Sequence, residues 1–555
     1  MRCVLILFLS AACFAAGGSC PNGTNYPNAS GALVTLASLG VTSCYYASSL
    51  SGASDSNSGT SESSPWLHIP GMPTCTATCG TVQSAGVPAG TGIIIEGGST
   101  YHFGNSSATP YAGGGGINFT WSGTSSHYTY IGVDLGWPST GWTRPVFTGD
   151  NSPSTSVVGS CAYQVTNGND MVAFSGTVYN ILDDFEFTGF CWNTTQSSNE
   201  GGAIMLTFNS SGSPNGHIVS RNYVHGWTHT SAGTQGGGGI AFYSYNQEPG
   251  ITYEYNVIDG SDSDPYSLIS MKGDVYQFNY NVVRYNQGEN SSSGCYRVHD
   301  NLWEYMNNVT DGSSHSDVLQ CYGETSHGSS DPNLFYNNIF RYIGTLGSQA
   351  LSANTLWLAP PTGQTDYVFN NVIHDLYANS NYFNISQASP PIGGGNVAFY
   401  NNTFVNPPFN SAWPCPAPAP GSVSSQNNHW ITTYTSTMDG CSFSSETTDL
   451  FMTPTLAATQ GYTSANDYAP TASSNSTVGA GTNNATFCNG LNDSVSKAAC
   501  LQGFTGVAYN ATNHTVVVPA ILGVNRPSTG AWNVGAYQFA ATGPNAPTGL
   551  TVTVH

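Results

Sequence analysis

The chain is poor in cationic side chains and has no long apolar run. Only 9 of its 555 residues are lysine or arginine, against 30 aspartates and glutamates, which gives a formal net charge of −21. So few cations argue against nucleic acid and anionic membrane surfaces as partners, because both require many phosphate contacts. No stretch is long enough for a stable membrane-spanning helix, so no membrane insertion is expected.

Low charge does not mean that the chain lacks a core. Charged residues make up only 7 % of the sequence and glycine occurs 65 times, which is typical of disorder, but aromatic residues reach 12 %. That share of aromatics indicates a packed interior. We expect a folded monomer.

The amino terminus and the cysteines predict export. Residues 1–19 have the features of a secretory signal: Arg2, an apolar stretch over 4–14 and small residues over 15–19. Acylation of Cys20 is an alternative use of this segment. The even number of cysteines that remain predicts disulfides outside the cell. Their order predicts local pairs: Cys20 with Cys44, Cys75 with Cys79, Cys161 with Cys191, Cys295 with Cys321, Cys415 with Cys441, and Cys488 with Cys500.

A short phrase built around one asparagine recurs along the chain. The asparagine is followed by apolar and β-branched residues, at steps of 20 to 37 residues. Its positions are Asn222, Asn256, Asn281, Asn301, Asn338, Asn371, Asn402 and Asn428. A repeat of this length indicates a stacked architecture, and its strand-rich composition predicts a parallel β-solenoid. Asparagine tolerates a left-handed backbone at a corner, and stacked amides can form a hydrogen-bonded ladder.

The repeat also predicts the organisation of the chain. The expected segments are a signal peptide (1–19), an amino-terminal lead-in and cap (20–100), a parallel β-helix (101–445), carboxy-terminal closing coils (446–540) and a linker or tail (541–555).

Three parts of the sequence resemble the bacterial right-handed parallel β-helix proteins of the pectate-lyase-like superfamily. They are the asparagine coils, the lead-in Tyr45-Tyr46, Gly52, Asp55, Asn57, Gly59-Thr60 and Pro65-Trp66, and the closure Gly479-Ala480-Gly481 with Val534-Gly535-Ala536-Tyr537. The resemblance implies an all-β chain with a single right-handed parallel β-helix. It leaves the chemistry open, since the superfamily includes lyases, hydrolases, epimerases and adhesins.

One coil resembles the chondroitinase B and alginate lyase type more closely. Lys272 ends the run Ile269-Ser270-Met271-Lys272, and Arg297 and His299 follow one coil later. The resemblance implies that Lys272 is the base, that Arg297 is the acid or charge stabiliser, and that Ca²⁺ binds the uronate carboxylate. Here Val298 separates Arg297 from His299, whereas the family has the pair adjacent.

Further residues could complete a uronate lyase. Asp259, Asp262 and Asp264 form a cluster of oxygen ligands suited to Ca²⁺. β-Elimination needs a neutralised carboxylate and a base within hydrogen-bond reach. The predicted substrate-binding residues are Arg284, Arg341, Trp303 and Glu304.

Two other functions stay open at this point. His315 and Asp317 alternate onto one face of a strand and could serve a glycoside hydrolase with Glu304. The chain could also be a non-catalytic surface or adhesion β-helix that binds glycans. Clustering of Lys272, Arg297 and His315 in one groove would favour an enzyme, and scatter would favour the adhesin.

Overall fold

A computed structural model defines the architecture. It describes residues 17–113, 116–163, 171–192, 204–209, 216–230, 239–244, 250–264, 268–285, 291–306, 318–322, 331–343, 354–376, 381–385, 395–405, 422–433, 444–519 and 523–539. The predicted signal segment falls almost wholly outside these ranges, as do Cys415, Cys441, His315 and Asp317.

Strand pairing defines three long rows of parallel strands. A 20-stranded sheet contains two of them, rows A and B, and a 12-stranded sheet forms row C. Two long strands pass through both row A and row B and join them. Successive coils therefore stack in register along each row, as predicted for a single parallel β-helix.

Row A contains the strands Ser43–Ala47, Thr91–Ile95, Thr129–Val133, Asn180–Asp183, Ile218–Ser220, Thr252–Glu254, Leu268–Asn279, Ser291–His299, Asn333–Tyr336, Thr365–Phe369, Asn396–Tyr400, Ser422–Gln426 and Ser445–Thr447. Row B contains Ile117–Phe119, Val172–Ser175, Ile204–Asn209, Gly239–Ser244, the two shared strands, Leu319–Tyr322, Asn354–Ala359 and Asn381–Ile385. Row C contains Thr100–His102, Val146–Thr148, Glu186–Thr188, Tyr223–His225, Val257–Asp259, Val282–Arg284, Leu302–Glu304, Ile339–Arg341, Val372–His374, Thr403–Val405, His429–Ile431 and Leu450–Met452.

The remaining elements are short. Three strand pairs lie apart from the rows: Tyr26–Pro27 with Leu33–Val34, Cys191–Trp192 with Thr228–His229, and Ala508–Asn510 with Thr515–Val517. The α-helices are Ala77–Ala85, Pro454–Thr459, Ala485–Gly490 and Ser494–Cys500, and the 3₁₀ helices are Leu36–Leu39 and Ser464–Asn466. Within the described ranges, no helix is long and apolar enough to cross a membrane. The stack starts at Ser43–Ala47, earlier than the predicted boundary at residue 101.

The repeated asparagines form the predicted ladder at the corner between rows A and C. The Nδ2 amide of each donates to the Oδ1 of the next, over 2.9 to 3.2 Å, from Asn222 to Asn428. Each Nδ2 also donates to a row A carbonyl of the preceding coil, as Asn301 does to Phe278 at 2.8 Å. The ladder ends on Asp449, whose Oδ1 accepts from the Asn428 backbone N–H at 2.8 Å. These amides are buried and bonded on both sides, so they fix the coil-to-coil register.

The left-handed corner residue is not the ladder asparagine itself, which corrects the prediction. The residue immediately before each ladder asparagine has φ between 54° and 60°. In the first four coils this residue is Arg221, Tyr255, Tyr280 or Asp300, and in the last four it is also asparagine. The Asn-Asn pairs thus divide two tasks, because the first residue turns the chain and the second builds the ladder.

The outer faces of rows A and C are covered by the two ends of the chain. Tyr26, Leu36 and Leu39 pack on the early coils of row A. A closing segment, defined as residues 453–539, runs back along the molecule instead of capping its end. Its Phe504 and Val507 pack on a row C stripe that contains Tyr223, Val257, Val282, Leu302, Ile339 and Val372.

Five of the six predicted disulfides are confirmed. Bonds join Cys20 to Cys44, Cys75 to Cys79, Cys161 to Cys191, Cys295 to Cys321, and Cys488 to Cys500. The bond at Cys20 occupies the sulfur that acylation would require. The pairs Cys161–Cys191 and Cys295–Cys321 span 30 and 26 residues, which matches stacking across one coil.

Candidate functional site

The structure distributes the predicted site residues over all three rows. Lys272 lies in the row B part of its strand, whereas Arg297 and His299 lie in row A. The predicted substrate-binding residues Arg284, Arg341, Trp303 and Glu304 lie in row C. Lys272 and Arg297 lie on different rows, so the clustering that would favour an enzyme is not found for this pair, and His315 lies outside the described residues. The partners of each side chain are therefore described row by row.

Trp303 is part of the core, so its predicted role in substrate binding is wrong. Its side chain is fully buried inside the helix, with ring centroids 5.3 Å from Phe278 and 6.1 Å from Phe340. Strand alternation turns Trp303 inward because its neighbour Leu302 faces the closing segment.

Glu304, Arg284 and Arg341 form an ion network under the closing segment. Glu304 Oε1 lies 3.1 Å from Arg284 Nε, and Glu304 Oε2 lies 2.8 Å from Arg341 Nε. Arg284 also approaches Asp259 at 3.5 Å, and Arg341 approaches Asp467 of the closing segment at 3.5 Å. Glu304 is 4 % exposed. The predicted binding of substrate by these groups is not supported, because they neutralise one another.

Arg297 joins the helix to the closing segment. Its buried guanidinium lies 3.4 Å from Asp331 and 3.2 Å from Asp493, and it donates to the carbonyl of Pro332 at 2.8 Å. Its backbone pairs with Gln277, five residues along the strand from Lys272. These contacts do not support the predicted role of Arg297 as acid partner of Lys272.

His299 is also held by structural contacts. Its Nδ1 lies 2.8 Å from Asp300, and its ring stacks on Tyr336 with centroids 4.5 Å apart. The side chain is 6 % exposed.

The three aspartates of the predicted calcium cluster have separate partners. Asp262 lies 2.8 Å from His225 Nδ1, Asp259 accepts from Tyr509 at 2.7 Å, and Asp264 is buried. Among the described residues, no group of three or more His, Cys, Asp or Glu side chains is placed to hold a metal ion. The predicted arrangement of Asp259, Asp262 and Asp264 as one cluster is therefore wrong.

His225 fixes the corner where Asp262 lies. Its Nε2 is 3.1 Å from Glu186, and its ring stacks on Tyr223 with centroids 4.2 Å apart. Burial lowers the pKa of His225, but the carboxylates of Asp262 and Glu186 raise it further, to about 9. The imidazolium thus links two coils at neutral pH.

Glu254 is a buried carboxyl outside the candidate site. Burial raises its pKa from 4.5 to about 8, and its Oε1 lacks a hydrogen-bond partner in the described part of the molecule. The folded protein therefore holds this proton more tightly than the unfolded chain does. The contribution of protonated Glu254 to the free energy of unfolding falls as the pH rises from 4.5 through 8.

We predict that Glu254→Gln stabilises the protein at alkaline pH. At pH 9 the gain in unfolding free energy should be on the order of 3 to 5 kcal/mol, because the variant removes a buried negative charge. At pH 4 the two proteins should differ little. Urea unfolding of both proteins across this range measures the difference. Equal pH dependence of the two curves would contradict the assignment of Glu254.

Row B contains a continuous line of residues in register. Cross-strand pairing links one position in each successive strand: Asn118, Ala173, Thr207, Tyr243, Lys272, Ser291, Gln320, Trp357 and Asn384. We call this line the row B ladder. Lys272 stands at its centre, between Tyr243 and Ser291.

The described side chains of the row B ladder differ in exposure. Asn118 is exposed, Ala173, Tyr243 and Trp357 are half-buried, and Gln320 is buried. Their strand neighbours Val172, Phe242 and Leu356 are buried in the core, as alternation requires. Hydroxyl, amide and aromatic groups at this spacing suit an extended saccharide lying along the helix axis.

Sequence reasoning identified Lys272 but missed most of the row B ladder. Tyr243 and Asn118 have no motif around them. The usable signal was the alternation of buried and polar residues in each short strand, as in Phe242-Tyr243 and Leu356-Trp357. This alternation identifies a candidate site only after the coils are aligned in register, because the residues then form one line.

Comparisons with known proteins give no match by sequence. No protein-family model and no curated protein matches the chain. Among solved structures, pectate lyase Pel9A is similar with a TM-score of 0.37 and 14% identity, covering 89% of this chain and 96% of that one.

Two further structural likenesses are weaker. A tailspike protein mutant of E. coli bacteriophage HK620 in complex with pentasaccharide has a TM-score of 0.34 and 15% identity, covering 69% of this chain and 67% of its own. A rhamnogalacturonan lyase has a TM-score of 0.29 and 14% identity, covering 73% and 87%. With TM-scores this low, the likenesses carry no argument about function. The strand pairing of the chain itself establishes the parallel β-helix.

Proposed function

We propose that this protein is a polysaccharide-active β-helix, and that it acts as a lyase on a uronate-containing glycan. The observation that carries the proposal is the position of Lys272 at the centre of the row B ladder. The neighbouring Met271 is buried in the core, and the backbone of Lys272 pairs with that of Tyr243, whose side chain is half-buried. The five disulfides fit a protein that works outside the cell.

The proposed reaction is a β-elimination. The neutral amine of Lys272 removes the proton on C5 of the uronate, next to the carboxyl group. The C4–O4 bond then breaks, a C4–C5 double bond forms, and the departing O4 takes a proton from solvent. Lys272 returns to its neutral form by releasing its proton to water. Tyr243 and Trp357, on either side in the same line, would hold the glycan along the helix.

Calcium and an acid partner remain proposals. His315 and Asp317 lie outside the described ranges and stay candidates for proton donation. Glu304 is not available as a catalytic carboxylate for the hydrolase alternative, because it is paired with two arginines.

We predict that Lys272→Ala abolishes formation of unsaturated uronate. The expected loss is about 1,000-fold or more, because general-base catalysis contributes roughly 10² to 10⁴ in rate. Ultraviolet absorbance of the products measures it, on alginate, pectate and chondroitin with and without Ca²⁺. The matched control is Lys497→Ala, since Lys497 is the other lysine of the chain and lies in the helix Ser494–Cys500.

Three results are distinguishable. Loss of activity in Lys272→Ala alone, with an unchanged urea midpoint, supports the proposal. Release of reducing ends without ultraviolet absorbance would replace the lyase by a hydrolase that uses other residues. Binding of a glycan with neither readout would make the protein a non-catalytic glycan-binding β-helix.

A further inference from the structure

The charges of the molecule restrict which uronate can bind, provided that the row B ladder is the lyase site. The described part of the chain contains six arginines, and every one of them has structural partners away from the row B ladder. Arg144 pairs with Asp184, and Arg221 pairs with Asp183. Arg526 is buried and donates to Asn370 and to backbone carbonyls of the closing segment.

The other three arginines belong to the networks described above. Arg284 and Arg341 share Glu304, and Arg297 lies between Asp331 and Asp493. Releasing any of them to a substrate would break at least one ion pair that joins parts of the fold.

The rest of the sequence cannot supply the missing cation. Outside the described ranges the only lysine or arginine is Arg2, in the predicted signal segment. The sequence outside the described ranges also contains acidic residues, among them Glu248, Glu289 and Asp311. His315 and His327 also lie there, but histidines at their ordinary pKa of about 6.5 are mostly uncharged at neutral pH.

Lys272 cannot supply the missing positive charge when it acts as the base. A lysine that accepts a proton must start as the neutral amine, so it offers no positive charge to the bound carboxylate. All other members of the row B ladder are uncharged. Without a bound Ca²⁺, a polyanionic glycan would therefore meet a neutral surface on a protein with a net charge of −21.

We propose that the uronates accepted by the row B ladder are esterified, so that the glycan is uncharged where it binds. This inference rests on the proposed lyase function and names its substrate class. An ester makes the neighbouring C5 proton acidic without a cation, because its carbonyl spreads the developing negative charge. The amide of Asn118, the hydroxyl of Tyr243 and the rings of Tyr243 and Trp357 then need to bind only neutral sugar groups.

The experiment compares each glycan as its methyl ester and as the saponified form of the same preparation. Initial rates of unsaturated product formation are measured in EDTA and in Ca²⁺, for the wild type, Lys272→Ala and Lys497→Ala. We expect the ester to be cleaved at least about tenfold faster, which corresponds to one unfavourable charge contact. The rate should be insensitive to EDTA and absent in Lys272→Ala. Any residual rate on the saponified form should rise with salt, because screening weakens the repulsion.

The outcomes separate the two proposals. Cleavage of the saponified form only, dependent on Ca²⁺ and on Lys272, would overturn the esterified substrate and leave the lyase intact. If the Lys272→Ala variant still cleaves the ester, Lys272 is not the base. The argument that the site lacks a positive charge, which assumes a neutral Lys272, then fails as well. No cleavage of either form of any glycan would overturn both.

Discussion

Asn301→Ala is expected to lower the free energy of unfolding by about 3 to 5 kcal/mol, since each buried polar group left without a partner costs about 1 to 3 kcal/mol. Asn301 donates to Phe278 O at 2.8 Å and to Asn338 Oδ1 at 2.9 Å. Its own Oδ1 accepts from the backbone N–H of Asn281 at 2.8 Å. The same Oδ1 also accepts from Asn281 Nδ2 at 3.2 Å. Alanine removes all four bonds in the middle of the stack. Urea unfolding monitored by far-ultraviolet circular dichroism measures the loss.

The matched control is Asn118→Ala, an exposed asparagine in the strand Ile117–Phe119. It should change stability by less than about 0.5 kcal/mol. Asn301→Asp tests the mechanism further, because a carboxylate accepts hydrogen bonds but cannot donate them. An aspartate stands at the end of the ladder, where Asp449 has only to accept from Asn428. If Asn301→Asp were as stable as the wild type at pH 7, donation along the ladder would not be what holds the coils in register.

The fold was predictable because the ladder leaves a mark in the sequence. A coil needs one residue that both donates and accepts at the same corner, so the same side chain recurs at each turn of the chain. The disulfides Cys161–Cys191 and Cys295–Cys321 were predictable for a related reason, since stacked coils bring residues about one repeat apart to bonding distance. The left-handed residue was misplaced by one position. In the first coils its identity varies, as with Arg221 and Tyr255, and no repeat marks it.

The candidate site was only partly predictable because burial in this molecule is decided by distant segments. Arg284 and Glu304 look like exposed ligands in their own coils, yet Tyr509 and Phe504 of the closing segment cover that row. Nothing near Glu304 in the sequence indicates that a segment some 200 residues later packs over it. Lys272 was found because its neighbours form a recognisable local run. Its partners in the row B ladder come from separate coils and appear only when those coils are stacked.

Glu304→Ala should be the most informative test of the network on row C. The change leaves the guanidinium groups of Arg284 and Arg341 next to one another without the carboxylate that neutralises both. Breaking a buried ion pair costs about 3 to 5 kcal/mol. We expect about 3 kcal/mol, the lower end of that range, because Asp259 and Asp467 still lie 3.5 Å from the two arginines. Chemical unfolding of the purified variant measures the loss, and Glu446→Ala, an exposed glutamate in a row A strand, is the matched control.

The same variant separates structure from catalysis. If Glu304 holds row C to the closing segment, Glu304→Gln should lose part of the stability, since an amide cannot neutralise two guanidinium groups. Under that reading the folded protein keeps its activity per molecule and its pH profile, because the row B ladder lies on a different row of the helix. A catalytic Glu304 would give the opposite result, with stability retained and glycan cleavage lost. Stability and glycan cleavage measured on the same preparation distinguish the structural role of Glu304 from a catalytic one. The buried pairing of Glu304 with Arg284 and Arg341 predicts the structural role.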